Sequence, residues 1–181
     1  MQMDAHMDTG AVLSSRTLSI DGNENAEQLA KRLAVLAATL VREDLERAVD
    51  GALRAVPQVD ADATFAPMLS KDDGRIEWSC SATQVHAHVR AMTPWPGAFT
   101  DLREKRLKVL GTRVHAGNTD REPGEVMVAD PTCVLVSCGE GLVELVLVQI
   151  PGKKAMPAGA MVVGRTIRVG DVLGMGANRS E

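Results

Sequence analysis

The sequence predicts an α+β protein: an N-terminal strand and long helix, an extended connector, then a small closed barrel of short strands led by one helix. Three observations predict it. Residues 24–49 carry Leu29, Leu33, Leu36, Leu40 and Val41 on one helical stripe, continued by Leu45 and Val49. Residues 105–171 hold about five short Val- and Leu-rich runs between Gly and Pro breaks. Between these regions, residues 52–70 combine Pro57, Pro67, small residues and the acidic pair Asp60 and Asp62, the composition of a connector.

Size and composition narrow the function classes. At 181 residues, 45 % of them hydrophobic, the chain can bury a real core as one domain or two small ones. Tyr is absent and aromatics are only 2 %, so Ala, Val, Leu and Met must build that core, and a base-stacking platform is excluded. Cys80, Cys133 and Cys138 are odd in number and lack metal-ligand spacing, which argues against a disulfide framework or a metal site and for a reducing cytoplasm. No apolar run reaches membrane-spanning length, and the N-terminus lacks the basic-then-apolar pattern of a leader. The net charge of −4 by itself argues against a general nucleic-acid binder, and no DNA partner is expected. Residues 1–65 hold 6 basic and 11 acidic residues, whereas residues 66–181 hold 14 and 13. In that second part Arg103, Lys105, Arg106, Lys108 and Arg113 cluster in one strand region, and Lys153 and Lys154 in one loop. Such a cluster is a solvated strand face or a local phosphate-binding surface.

Taken in order, the chain opens with Asp4, His6 and Asp8 before Thr9-Gly10, a turn signal. By residue type alone this cluster is a solvated terminus. Alternation over 13–20 predicts a strand, Asp21-Gly22-Asn23 a turn, and Asn23 or Asn25 caps the helix over 24–49, which Asp50-Gly51 ends. The connector is expected to lie across the surface, because Phe65 and Met68 call for burial. Ser79 or Ser81 caps a second helix over 82–92, with Ala82, Val85, Val89 and Met92 at helical spacing. Thr93-Pro94-Trp95-Pro96-Gly97 stops it, with Trp95 expected as a structural plug. Strands follow over 106–115, 125–129, 133–137, 142–150 and 166–169.

Several segments together carry a family resemblance. LSKDDGRIEW at 69–78, followed by PWPGA at 94–98, resembles the start of the C-terminal domain of methionyl-tRNA formyltransferases. MQMDAHMDTGAVL at 1–13 is similar to the family's M-D-x-G-x-D-T-G segment. Cys138-Gly139-Glu140-Gly141 with Leu145 resembles its C/T-G-D/E-G-x-L strand pair, PGKKAM at 151–156 its G-K-K loop, and VGDVL at 169–173 its closing G-D-x-L. Two places depart from the pattern: Met92-Thr93 stands where Phe-Asn is usual before Pro-Trp-Pro, and Glu24-Asn25 where Asp/Glu-Thr opens the helix. His6 is not the family's histidine.

The resemblance implies a C-terminal OB-like β-barrel preceded by a linker and by the last strand and helix of a truncated Rossmann-like formyltransferase domain. The expected division is 1–53 for that catalytic remnant, 54–74 for the linker and 75–181 for the tRNA-binding domain. Asp8 falls on the catalytic aspartate of the D-T-G motif, where a carboxylate orients and charge-balances a histidine during attack of an amine on a formyl group. The implied activity is formyl transfer from 10-formyltetrahydrofolate to the amino group of initiator Met-tRNA. This chain is expected to lack the folate-contacting loop, to need no metal, to be monomeric and to be inactive alone. Implied tRNA contacts are Lys71, Arg106, Lys108, Arg113, Lys153 and Lys154; Arg75 is expected in a structural ion pair. A stand-alone RNA-binding or partner module is one alternative. A fragment of a related sugar-nucleotide formyltransferase or formyltetrahydrofolate hydrolase-type enzyme is another.

Overall fold

A computed structural model describes residues 1–174, which divide into two compact units, 1–68 and 69–174. The first unit is built on helix α1 (Ala26–Val49). Asn25 caps it: its side chain accepts the Gln28 N–H, and the Gln28 side chain accepts the Asn25 N–H, both at 2.9 Å. Asp50 ends the helix, and Gly51 follows with φ 70°. Leu33, Val41, Leu45 and Val49 of its apolar stripe remain exposed.

The strand expected over 13–20 does not form. A strand needs a partner, and the pairing here is a single bridge between Val12 and Val56. The segment instead delivers polar groups to α1. Ser14 donates to Asp44 at 2.5 Å, and Arg16 and Arg47 reach the same buried carboxylate at 3.3 and 2.9 Å. The burial expected for Phe65 and Met68 is also absent, each being 97 % exposed. Other apolar residues of the connector, Val56, Val59 and Leu69, are exposed too, so the segment builds no apolar surface for them to fold against.

The second unit holds helices α2 (Ala82–Ala91) and α3 (Ala158–Val163) with a six-stranded antiparallel sheet. Its strands are β1 (Phe99–Leu102), β2 (Lys105–His115), β3 (Val126–Ala129), β4 (Val134–Ser137), β5 (Leu142–Gln149) and β6 (Met156–Pro157). Their order is β1-β2-β5-β4-β3, with β6 on β5, and the sheet curls into a half-barrel. The segment after α3 bridges its open side. Asp171 accepts the Val126 N–H beside β3, Leu173 donates to Gly124, and Gly174 donates to Asp101 of β1. Residues 166–169, expected as a strand, therefore run as a turn and coil in which Ile167 is buried as an anchor.

Ser81, not Ser79, caps α2, in a reciprocal box with Gln84. Its buried face of Ala82, Val85 and Val89 covers the sheet. Trp78 is at the centre of the core: its indole N–H donates to the Thr100 hydroxyl at 3.0 Å, and both residues are buried. Gly139 is required beside it, because a Cβ there would come within 1.8 Å of the Ser79 carbonyl oxygen. Trp95 is no plug; it is 58 % exposed. Its turn closes without the ring, through Gly97 N–H to Met92 at 2.8 Å and Thr93 hydroxyl to Val89 at 2.7 Å.

Candidate functional site

In the first unit, Asp8 lies in a short turn with φ 60°, in the left-handed region that L residues seldom adopt. Its side chain is exposed and has no hydrogen bond or ion pair among the described residues. Neither Asp4 nor His6 joins it. The Thr9 hydroxyl instead contacts the Asp4 carboxylate at 3.5 Å and the His6 carbonyl at 3.3 Å. The turn is tied elsewhere: Gln58 donates to the carbonyl oxygens of Asp8 and Gly10, both at 2.8 Å. Gly10 is itself confined, since a Cβ would lie 1.9 Å from the Gln2 carbonyl oxygen. An open depression of about 660 Å³ in the same unit is lined in part by Asp21, Glu24, Gln28 and Arg32. Its Glu24 carboxylate is taken by Arg32 at 2.6 Å and the Asp21 N–H at 2.7 Å, which hold it below the usual carboxylate range. None of the expected site residues lines it.

In the second unit the outer face of β1 and β2 collects the cations. Register places Phe99 opposite Lys108 and Asp101 opposite Arg106. The Arg106 guanidinium stacks 3.9 Å from the Phe99 ring centroid, and Arg75 approaches the same ring at 5.1 Å. Arg75 forms its expected ion pair, with Asp101 at 2.7 Å. On the other side, Lys108 lies opposite Gln149, whose amide donates to the Lys153 carbonyl at 2.9 Å. Lys108 and the Lys153-Lys154 turn are thereby neighbours. Lys71 begins the turn Asp72–Gly74, where a Gly74 Cβ would fall 3.4 Å from the Phe99 ring. Arg106, Lys108, Lys153 and Lys154 have no carboxylate within 4.0 Å among the described residues. Arg113 is separate, farther along β2 and held to Glu144 of β5 at 2.9 Å.

Three contributors escaped sequence reasoning. Phe99 is on a four-residue strand too short to carry a period, so its face is set by the register with β2 and not by its neighbours in sequence. Gln58 and Gln149 act through contacts that no local pattern announces. Cys138 is buried, and burial pushes its thiol up to about 11, so it is no nucleophile. Among the described residues no group of three His, Cys, Asp or Glu could hold a metal ion, and no helix is long and apolar enough to cross a membrane.

Residues 68–166 match the family model of the formyl transferase C-terminal domain. The methionyl-tRNA formyltransferase of Sorangium cellulosum is 48 % identical over 176 residues, covering 96 % of this chain and 57 % of the relative. That of Citrifermentans bemidjiense is 38 % identical over 174 residues, covering 96 % and 54 %. The chain thus spans about half the length of the curated relatives it matches. HypX from Aquifex aeolicus, solved in complex with tetrahydrofolic acid, matches with a TM-score of 0.57 at 20 % identity, over 90 % of this chain and 28 % of that one. At that identity the likeness is one of fold.

Proposed function

The chain belongs to the formyl transferase C-terminal domain family, and we propose that it serves as the C-terminal portion of a methionyl-tRNA formyltransferase. In that role it docks initiator Met-tRNA and carries one catalytic carboxylate. The observation behind this reading is the row of exposed cations Arg106, Lys108, Lys153 and Lys154 beside Phe99, which no carboxylate neutralises among the described residues. Such a row holds a phosphate backbone by charge and by shape, without reading base edges. Arg106 stays oriented on the Phe99 ring, so less side-chain freedom is lost on contact. Lys71 extends the surface on the side of Arg75, and Lys153 and Lys154 extend it beyond Lys108. Arg113, held by Glu144, stands at the margin of this surface and adds little to it.

The chemistry proposed is attack of the methionyl amine on the formyl carbon of 10-formyltetrahydrofolate. The new C–N bond forms, the amine loses a proton, and the folate nitrogen leaves protonated. Asp8, exposed and unspent, orients and charge-balances the histidine that takes the proton, as the family resemblance implies. The histidine, the oxyanion donor and the folate loop are assigned to the part of the enzyme outside these 181 residues. The protein is assigned to the cytoplasm and to action as a monomer.

The test is binding of labelled initiator Met-tRNA to the purified 181-residue chain across a salt series. The expected result is affinity that falls steeply with salt and weakens in the Lys153→Ala/Lys154→Ala variant. The same preparation is expected to form no formyl-Met-tRNA when 10-formyltetrahydrofolate is added. Absence of binding at low salt, or turnover by the chain alone, would overturn the reading.

A further inference from the structure

Among polar side chains that the proposed chemistry leaves unused, Gln58 is directed at the catalytic segment. Its side-chain nitrogen donates to the main-chain oxygens of Asp8 and Gly10, both at 2.8 Å. A primary amide has two N–H groups, so both are committed to one turn of chain. The turn needs them. Asp8 has φ 60°, and the direction of its Cα–Cβ bond, hence of its carboxylate, depends on that angle. Little else in the turn holds Asp8 there: Thr9 makes only long contacts of 3.3 and 3.5 Å, and the Asp8 side chain itself has no partner among the described residues. Gln58 is aimed from a fixed point, because Val56, two residues earlier, exchanges backbone hydrogen bonds with Val12 at 2.8 and 2.9 Å.

We infer that Gln58 is a positioning residue: by clamping the carbonyls of Asp8 and Gly10 it holds the Asp8 carboxylate in its working direction. The inference rests on the catalytic reading of Asp8 given above. The connector then does more than join two units; one of its residues completes the catalytic turn.

Substitutions in the complete enzyme that the proposed function assigns to this chain test this. Gln58→Met keeps length and removes the donor. Gln58→Glu keeps shape and turns an oxygen toward two carbonyl oxygens. Gln58→Lys restores an N–H donor of similar reach. The expected result is a loss of kcat of about tenfold or more in Met and Glu variants, at unchanged KM for Met-tRNA, with partial recovery in the Lys variant. In the 181-residue chain, amide and carbonyl NMR shifts should change at Asp8, Thr9 and Gly10 in the Met variant while α1 and the second unit keep theirs. If Asp8→Asn abolishes turnover and Gln58→Met leaves kcat intact, the positioning role is wrong and the catalytic reading stands. If Asp8→Asn has no effect, the catalytic reading itself fails. An equal loss in the Met and Lys variants would make Gln58 merely structural and overturn the inference.

Discussion

Lys108 and Arg113 are on the same strand and each contributes one positive charge, so removing either changes net charge equally. Their surroundings differ. Lys108 faces Phe99 and Gln149 and has no carboxylate partner among the described residues, whereas Arg113 is bound to Glu144 at 2.9 Å. Each phosphate neutralised on a duplex contributes about 0.9 to the slope of log affinity against log salt. The uncompensated cations Lys71, Arg106, Lys108, Lys153 and Lys154 then predict a slope of about −4.5. Lys108→Ala should flatten it by about 0.9. Arg113→Ala should change it by less than about 0.3, since a guanidinium already paired releases little net counterion. The assay is fluorescence anisotropy of labelled initiator tRNA between about 50 and about 300 mM salt. Equal slope changes would show that bulk charge, not the pairing pattern of this face, governs docking, and would refute the reasoning.

Three further outcomes follow from the packing and the ionisation. Trp78→Phe removes the donor to Thr100 and leaves a gap in the core; it should cost about 2–4 kcal/mol in urea unfolding followed by circular dichroism. Adding Thr100→Val should restore about 1 kcal/mol of that, because the stranded hydroxyl is then gone. The Ser14 hydroxyl bond, opposed by desolvation and aided by Arg16 and Arg47, holds Asp44 below its usual 3.8. A depressed carboxylate supplies stability that is full above the unfolded value and is lost as pH falls through the folded one. Ser14→Ala should therefore move the acid loss of α1 ellipticity to higher pH, and an unmoved midpoint would count against the network. Finally, the Cys138 thiol, pushed up to about 11 by burial and by Cys80, should be the last of the three cysteines to alkylate in the native protein near pH 8. Its reaction before Cys80 would contradict the burial assigned to it.

The elements legible in the sequence were those with a strong local period. The α1 stripe, the body of α2 and the β2, β4 and β5 runs can each be read from their own residues, and each forms within a residue or two of expectation, while the choice of Ser81 over Ser79 as the α2 cap needed the structure. What was not legible depends on partners distant in sequence. Residues 13–20 alternate like a strand, yet they find no ladder and spend Ser14 and Arg16 on Asp44. β1, β6 and α3 are too short to carry a period and exist because β2 and β5 offer them an edge or a surface. The site divides the same way. Residue type marks a cation, but cross-strand register decides whether it is free. The two irregularities in the β2–β5 ladder, around Gly111, leave Arg113 opposite Glu144 while Lys108 stays opposite Gln149. A count of basic residues treats these two as equivalent. The sheet makes one a structural ion pair and leaves the other as charge available to a phosphate.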